Sequence, residues 1–173
     1  DAIYRQTWRT LANREHPYRQ TLERASGGRV KLLEKNDRFT GQDVHSYLCV
    51  MLIMLQAGVI KEESKEIRKM FRESEKYPSF FPEVDDANGN AALLREVTNL
   101  EVNDMTDAGF PIGGLMARQS LANVFRLVRP LVIIDEGHKA YSDTALNFIA
   151  SHNPRFVLEL SATPNTKEHI SNV

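Results

Sequence analysis

Two stretches near the end of the chain, "LVIID" (131–135) and "FVLELSAT" (156–163), each run apolar at four of their first five positions. A strand that turns one face to water alternates apolar and polar residues, whereas a strand with no polar face has to be covered on both sides. Between them lies "SDTALNFIASH" (142–152), which has helical spacing and a Ser142 placed to cap it. Strand, helix and strand in that order form a crossover unit, and such a crossover brings its two strands together in parallel. The expected fold is therefore α/β, a parallel sheet with flanking helices.

The first of these strands stops on two adjacent carboxylates, Asp135 and Glu136, followed by Gly137 and His138. In open parallel sheets ligands collect beyond the carboxyl ends of the strands, which is where these acids fall. A carboxylate at a strand tip can orient the hydrated Mg²⁺ of a bound nucleotide, and a neighbouring acid can polarise an attacking water. By itself the pair has an ordinary alternative, with Asp135 capping the next helix and Glu136 simply solvated. The second strand adds Ser161, Ala162 and Thr163 at its own carboxyl end, on the same rim, where two hydroxyls can bond across to the acidic tip and to His138. The two motifs one crossover apart favour a nucleotide-driven motor.

"VIIDEGH" and "SATP" resemble motifs II and III of superfamily 2 helicases and translocases. The surrounding "NVFRLVRPLVIIDEGHKAYSD" resembles the motor of type III restriction enzyme Res subunits and their DEAD/DEAH-box relatives. The likeness is sharp over about 117–165 and softer upstream, where "DAIYRQTW" resembles the segment beyond motif Ia and "YLCVMLIMLQAG" a strand bearing a nucleic-acid-facing motif. It implies a RecA-like P-loop NTPase lobe that uses ATP and Mg²⁺. Asp135 would be the Mg²⁺ ligand, Glu136 the catalytic base, and His138, Ser161 and Thr163 the coupling between nucleotide state and nucleic-acid grip. The family more often has Ala at the position of Gly137, a change that should leave the chemistry intact. DNA, expected as duplex, would be the substrate, and a methyltransferase or specificity subunit is implied by the resemblance alone.

A Walker A loop needs Gly-x-x-x-x-Gly-Lys-Ser/Thr to cradle phosphates. The Gly pairs in "SGGR" (26–29) and "IGGLMAR" (112–118) have neither the lysine nor a preceding strand, and both read as turns. The lobe is thus expected to be incomplete, with motif I upstream of Asp1 and the arginine-bearing motifs of a second lobe downstream of Val173. Such a piece would hold half a catalytic site and be inactive alone. Nor is there a nuclease pattern of clustered carboxylates and lysine, so a restriction endonuclease would carry its cutting residues elsewhere. The five histidines and Cys49 have no zinc-ligand spacing. Cys49, within "YLCVMLIML", reads as a small buried residue in a reducing compartment.

Upstream, residues 2–26 read as a helix interrupted near Pro17, 29–34 as a strand, 39–43 as a turn and 45–55 as a strand. Residues 61–74 read as a charged amphipathic helix with Ile67, Met70 and Phe71 as its stripe, and 77–90 as a loop whose Tyr77, Phe80 and Phe81 either anchor it to the core or face bases. Helices over 90–100 and 117–128 complete the pattern, with a loose segment between them. The chain is read as one partial first motor lobe, 1–173, with an insertion at about 61–116. Residues 1–40 carry nine Lys/Arg against five Asp/Glu, and 61–109 seven against twelve. The basic start could face a phosphate backbone through Arg5, Gln6 and Arg9, with a solvated arginine pair beside a half-buried Trp8 as the plainer alternative. No stretch approaches the roughly 20 apolar residues of a membrane span, and a cytoplasmic protein is expected. A motor fold kept as a non-catalytic interaction module, and a stand-alone RNA or DNA helicase, are the rival readings.

Overall fold

The computed structural model describes residues 2–54, 70–104, 114–135 and 143–160. The expected break near Pro17 divides the first helix into α1 (Ala2–Ala12) and α2 (Pro17–Ala25). Proline lacks the N–H that a helix interior needs but is suited to its first turn, and Pro17 takes that place, with His16 accepting from the Tyr18 N–H. Arg19 is buried and ties the two helices together, donating to the Leu11 carbonyl at 3.1 Å and to Glu23 at 2.9 Å. Gly27 and Gly28 end α2 with φ of 61° and 79°, and the Gly28 N–H donates to the Glu23 carbonyl.

Strand β1 (Val30–Leu33) pairs in parallel with β2 (Leu48–Met51), Val30 opposite Leu48 and Leu33 opposite Met51. The segment 39–43 is not the expected turn. Thr40 accepts from the Asp43 N–H while Asp43 accepts from the Thr40 N–H, a reciprocal cap that starts helix α3 (Gly41–Ser46). Lys31 closes on Asp43 at 2.8 Å and, with the Thr40 N–H, holds that half-buried carboxyl below its ordinary range. The expected strand 45–55 is shortened accordingly, since His45 and Ser46 belong to α3 and pairing stops at Met51. Burial, and next the Asp43 charge, raise the pKa of the half-buried Cys49 thiol.

Residues 61–69 of the expected charged helix lie outside the described residues; Met70 is buried and Phe71 packs beside it. Most of 77–83 does run without regular structure, apart from a short 3₁₀ turn at Pro78–Phe80. Its aromatics are anchors, with Tyr77 buried and both Tyr77 and Phe80 set edge-on against Phe39 at 5.4 and 5.5 Å. The next helix, α4 (Ala87–Glu96), begins inside the expected loop because Asp86 accepts from the Gly89 N–H and caps it. The start of the helix expected at 117 is corrected too, and residues 105–113, most of the expected loose segment, lie outside the described residues. Strands β3 (Val102–Asp104) and β4 (Leu115–Ala117) form an antiparallel pair, and helix α5 starts later, at Leu121–Val128. Three-residue strands carry little local preference, and this pair is set by the contacts of Arg118 described next.

Helix α5 is surrounded. Leu121, Ala122 and Val124 join Leu33, Phe39, Met70 and Tyr77 in the core, while Asn123 and Arg126 are buried on the same helix. Buried polar groups require partners. The Asn123 oxygen accepts from the Glu101 N–H (3.0 Å) and from Arg126 (2.7 Å), and its amide donates to the Glu101 and Arg118 carbonyls, both at 2.8 Å. Arg118 in turn reaches Glu101, Asn103 and the Phe71 and Val102 carbonyls.

After α5 the chain passes through Arg129 in the left-handed region (φ 52°) and Pro130 into β5 (Leu131–Asp135), then α6 (Asp143–Ala150) and β6 (Phe156–Leu160). The predicted crossover unit is present, with β5 and β6 parallel and in register from Leu131 opposite Phe156 to Asp135 opposite Leu160. The expectation of a sheet covered on both faces is not met. Leu131, Ile133, Phe156, Leu158 and Leu160 share one face and are exposed, because among the described residues no helix packs over it. Among those residues the strands also form three separate pairs rather than one sheet.

Replacing Asn123 by Ala leaves the Glu101 N–H without a partner and Arg126 short of one, while the Glu101 and Arg118 carbonyls lose one donor each and keep the Arg118 and Ser120 N–H groups. We expect Asn123→Ala to lower stability by about 2–3 kcal/mol, read as a fall in the urea midpoint at unchanged slope.

Candidate functional site: the paired strand tips

The continuous apolar sequence of 131–134 drives β5 into a parallel pair, and the pair ends where the first carboxylate appears. Asp135 is the last residue of β5, exposed, with Leu160 as its register partner at the end of β6. It has no ion pair among the described residues. Mg²⁺ in nucleotide sites takes one or two carboxylates and completes its shell with water and phosphate oxygens, and a single solvent-facing Asp at a strand tip fits that donor set. Among the described residues no three His, Cys, Asp or Glu side chains gather into a metal cage. Glu136, His138, Ser161 and Thr163 lie outside the described residues. In sequence, Glu136 directly follows Asp135, and Ser161 directly follows its partner Leu160.

At the other end of the chain Arg5, Gln6 and Arg9 are exposed on α1, a helix with no buried residue. Trp8 is half-buried and lies parallel to Tyr4 with ring centroids 6.5 Å apart. Among the described residues nothing brings them to the β5 tip.

What the sequence reading missed is the support beneath the strand tips. Arg126 donates to the Ser151 carbonyl (3.0 Å), lies 3.7 Å from Glu101, and stacks over the Phe71 ring at 5.6 Å. Burial lowers its pKa and the Glu101 carboxylate opposes that shift. His152 is enclosed by Phe71, Phe125 and Phe148. Its Nδ1 donates to the Phe148 carbonyl at 2.7 Å, leaving a buried Nε2 without a partner among the described residues. The signal for the first of these was available: Asn and Arg inside the otherwise apolar "LANVFRLV" are polar residues on a helix with no polar face.

Residues 11–166 match the sequence model of the family described as type III restriction enzyme, res subunit. The chain belongs to that family. Its domain is a P-loop helicase lobe, and the mixed helices and small parallel sheets of this structure are compatible with an α/β lobe of that kind. Membership also places the chain among helicase-like, ATP-dependent motors. No curated protein and no solved structure matches it. Among the described residues no helix is long and apolar enough to cross a membrane.

The imidazole of His152 makes a pH prediction. Burial first, and the nearby Arg126 charge as well, lower its pKa, with the Phe148 carbonyl opposing them only in part. A His with a lowered folded-state pKa is neutral when folded while the unfolded chain takes up a proton below about pH 6.5. Stability is therefore full above that pH and falls as the pH drops toward the folded-state value, by at most about 1.4 kcal/mol per pH unit. Urea midpoints between pH 7.5 and 5.5 should decline in the native protein and decline less in His152→Phe, which keeps the aromatic packing.

Proposed function

We propose that the chain is the hydrolytic part of the first motor lobe of an ATP-dependent DNA translocase or helicase of the type III restriction kind. The observation that carries this reading is the in-register parallel pair that ends on Asp135 and Leu160 in a chain of the Res subunit family. At that tip Asp135 would hold Mg²⁺ through its exposed carboxylate. Bound Mg²⁺ neutralises charge on the β- and γ-phosphates and orients them for in-line attack. Glu136, next along the chain, would take a proton from the attacking water, which needs a carboxylate that is ionised and held within hydrogen-bond reach of that water. His138, Ser161 and Thr163 follow the two paired strand ends, and hydroxyl and imidazole groups there could bond across the gap in one nucleotide state and release in the other. That exchange would couple hydrolysis to grip on DNA.

Duplex DNA is the proposed track, with Arg5, Gln6 and Arg9 on the open surface of α1 as contacts to its phosphates. A methyltransferase or specificity subunit is the proposed partner. No Gly-x-x-x-x-Gly-Lys-Ser/Thr loop occurs in these 173 residues, and in this reading groups beyond them would complete phosphate binding.

The decisive measurement is ATP hydrolysis by the full-length protein, with and without linear duplex DNA, beside Glu136→Gln. DNA should stimulate the native protein. The variant should lose on the order of 10²-fold or more in turnover while still binding ATP, as expected when a general base is removed. A native protein without turnover on DNA or RNA would instead support the interaction-module reading, and a Glu136→Gln variant that turns over normally would remove Glu136 from the mechanism.

A further inference from the structure

Asparagine followed directly by glycine occurs once in the chain, at Asn88–Gly89. Such a pair suits tight turns, and glycine is a poor helix former, yet both residues lie in the first turn of α4. The Asp86 cap accounts for this. One of its oxygens accepts from the Gly89 N–H at 2.8 Å, and the carboxylate packs so closely on Gly89 that a Cβ there would run into it. The cap therefore requires glycine at 89. The residue before that glycine is an exposed asparagine whose amide has no hydrogen-bond partner among the described residues.

This arrangement sets up a reaction of the chain with itself, because glycine puts no side chain in the way of its own backbone nitrogen. The Gly89 nitrogen loses its proton and attacks the Asn88 Cγ. The N–Cγ bond forms, the Cγ–Nδ2 bond breaks, and ammonia leaves with a proton in place of the one given up, closing a succinimide ring. Water then opens the ring at either carbonyl. Addition at Cγ leaves an aspartyl residue in the ordinary chain, and addition at the main-chain carbonyl leaves an isoaspartyl residue whose backbone runs through Cγ.

Two features of the folded helix oppose the first step. The attacking N–H is held by Asp86, and the Cα–Cβ bond of a helical residue tilts toward the N-terminus, away from the amide that follows it. Both are lost when the first turn frays, and helix ends open at far lower cost than the whole fold.

We propose that Asn88 is a site of spontaneous deamidation gated by the Asp86 cap. The reaction runs from the frayed first turn, so its rate follows the opening of α4. An aspartyl product adds a carboxylate to the N-terminal turn of a helix, where negative charge is favourable. An isoaspartyl product lengthens the backbone just before buried Asn90, which donates to the Glu83 and Asp86 carbonyls, and moves it out of line with both. That branch loosens the start of α4 irreversibly.

The test incubates the full-length protein at mildly alkaline pH and follows the peptide holding Asn88 by mass spectrometry, with the two acid products separated by retention. Acid should accumulate at Asn88 ahead of every other asparagine, and faster in urea than in the folded protein. Asp86→Ala removes the acceptor and should speed conversion of the folded protein roughly 5- to 30-fold, the change in open population expected from a lost cap. Asp86→Ser keeps a capping acceptor and should stay near the native rate. In urea all three proteins should react alike, since no cap exists there. A folded-state rate equal to the rate in urea overturns the proposal, as does an Asp86→Ala rate equal to the native one. Acceleration in Asp86→Ala that is matched at the other asparagines also overturns it, because it marks unfolding of the whole protein rather than opening of one turn.

Discussion

Helix α5 can occupy only one place in this molecule, and the reason is polar. It carries Asn123 and Arg126 into the interior along with Leu121, Ala122 and Val124. Apolar burial would accept many rotations and translations of such a helix, since dispersion and the hydrophobic effect have no direction. An amide and a guanidinium accept few, because each bond left unmade inside the protein costs about 1–3 kcal/mol. Asn123 uses its oxygen twice and its amide twice, and all four partners belong to Glu101, Arg118 and Arg126. The helix is thereby registered against the β3–β4 pair before any apolar contact is counted.

That registration passes directly to the strand tips. α5 ends at Val128, turns through Arg129 in the left-handed region, and enters β5 after Pro130, so no slack separates the fixed helix from the strand that ends on Asp135. Arg126 reaches from the same helix to the α6–β6 turn. One helix thus fixes both ends of the crossover unit, the start of β5 through the chain and the start of β6 through a side chain. A site that needs two strand ends aligned is better supported by such a brace than by the sheet alone, because among the described residues the sheet here is only two strands wide.

Legibility in the sequence followed the range of the interactions. The β5–α6–β6 unit was readable because continuous apolar strands and a helix-spaced linker are local patterns, and the carboxylate at the tip was readable because it interrupts one. Pro17 and the Gly27–Gly28 pair announced their breaks for the same reason. Helix α3 was missed although Thr40 and Asp43 stand at capping-box spacing, because Thr and Asp on either side of Gly41 serve a turn equally well. The β3–β4 pair could not be read at all: three-residue strands are formed by Arg118 and Glu101, partners far from any local signal. The expected second cover over β5 and β6 was inferred from composition, which states what a strand requires and not which part of a protein provides it.

The uncovered face bears on the chemistry, because Asp135 stands on it. Alternation along β5 puts Leu131, Ile133 and Asp135 on the same side, with Phe156, Leu158 and Leu160 as their partners across the pair. A carboxylate open to water binds Mg²⁺ weakly, since bulk solvent screens the charge and competes for the metal. The same carboxylate at the rim of a covered apolar surface acts in a lower dielectric, where its attraction for the cation and for a metal-bound phosphate is several times larger. In the proposed reading the strand tip is then an incomplete site on physical grounds as well as by motif. Its register is fixed, while in that reading the low-dielectric wall and the phosphate-binding groups would come from whatever packs against Leu131 and Ile133. Closure over that apolar face and assembly of the hydrolytic site would then be a single event, which is how a motor can keep from hydrolysing ATP until its parts are engaged.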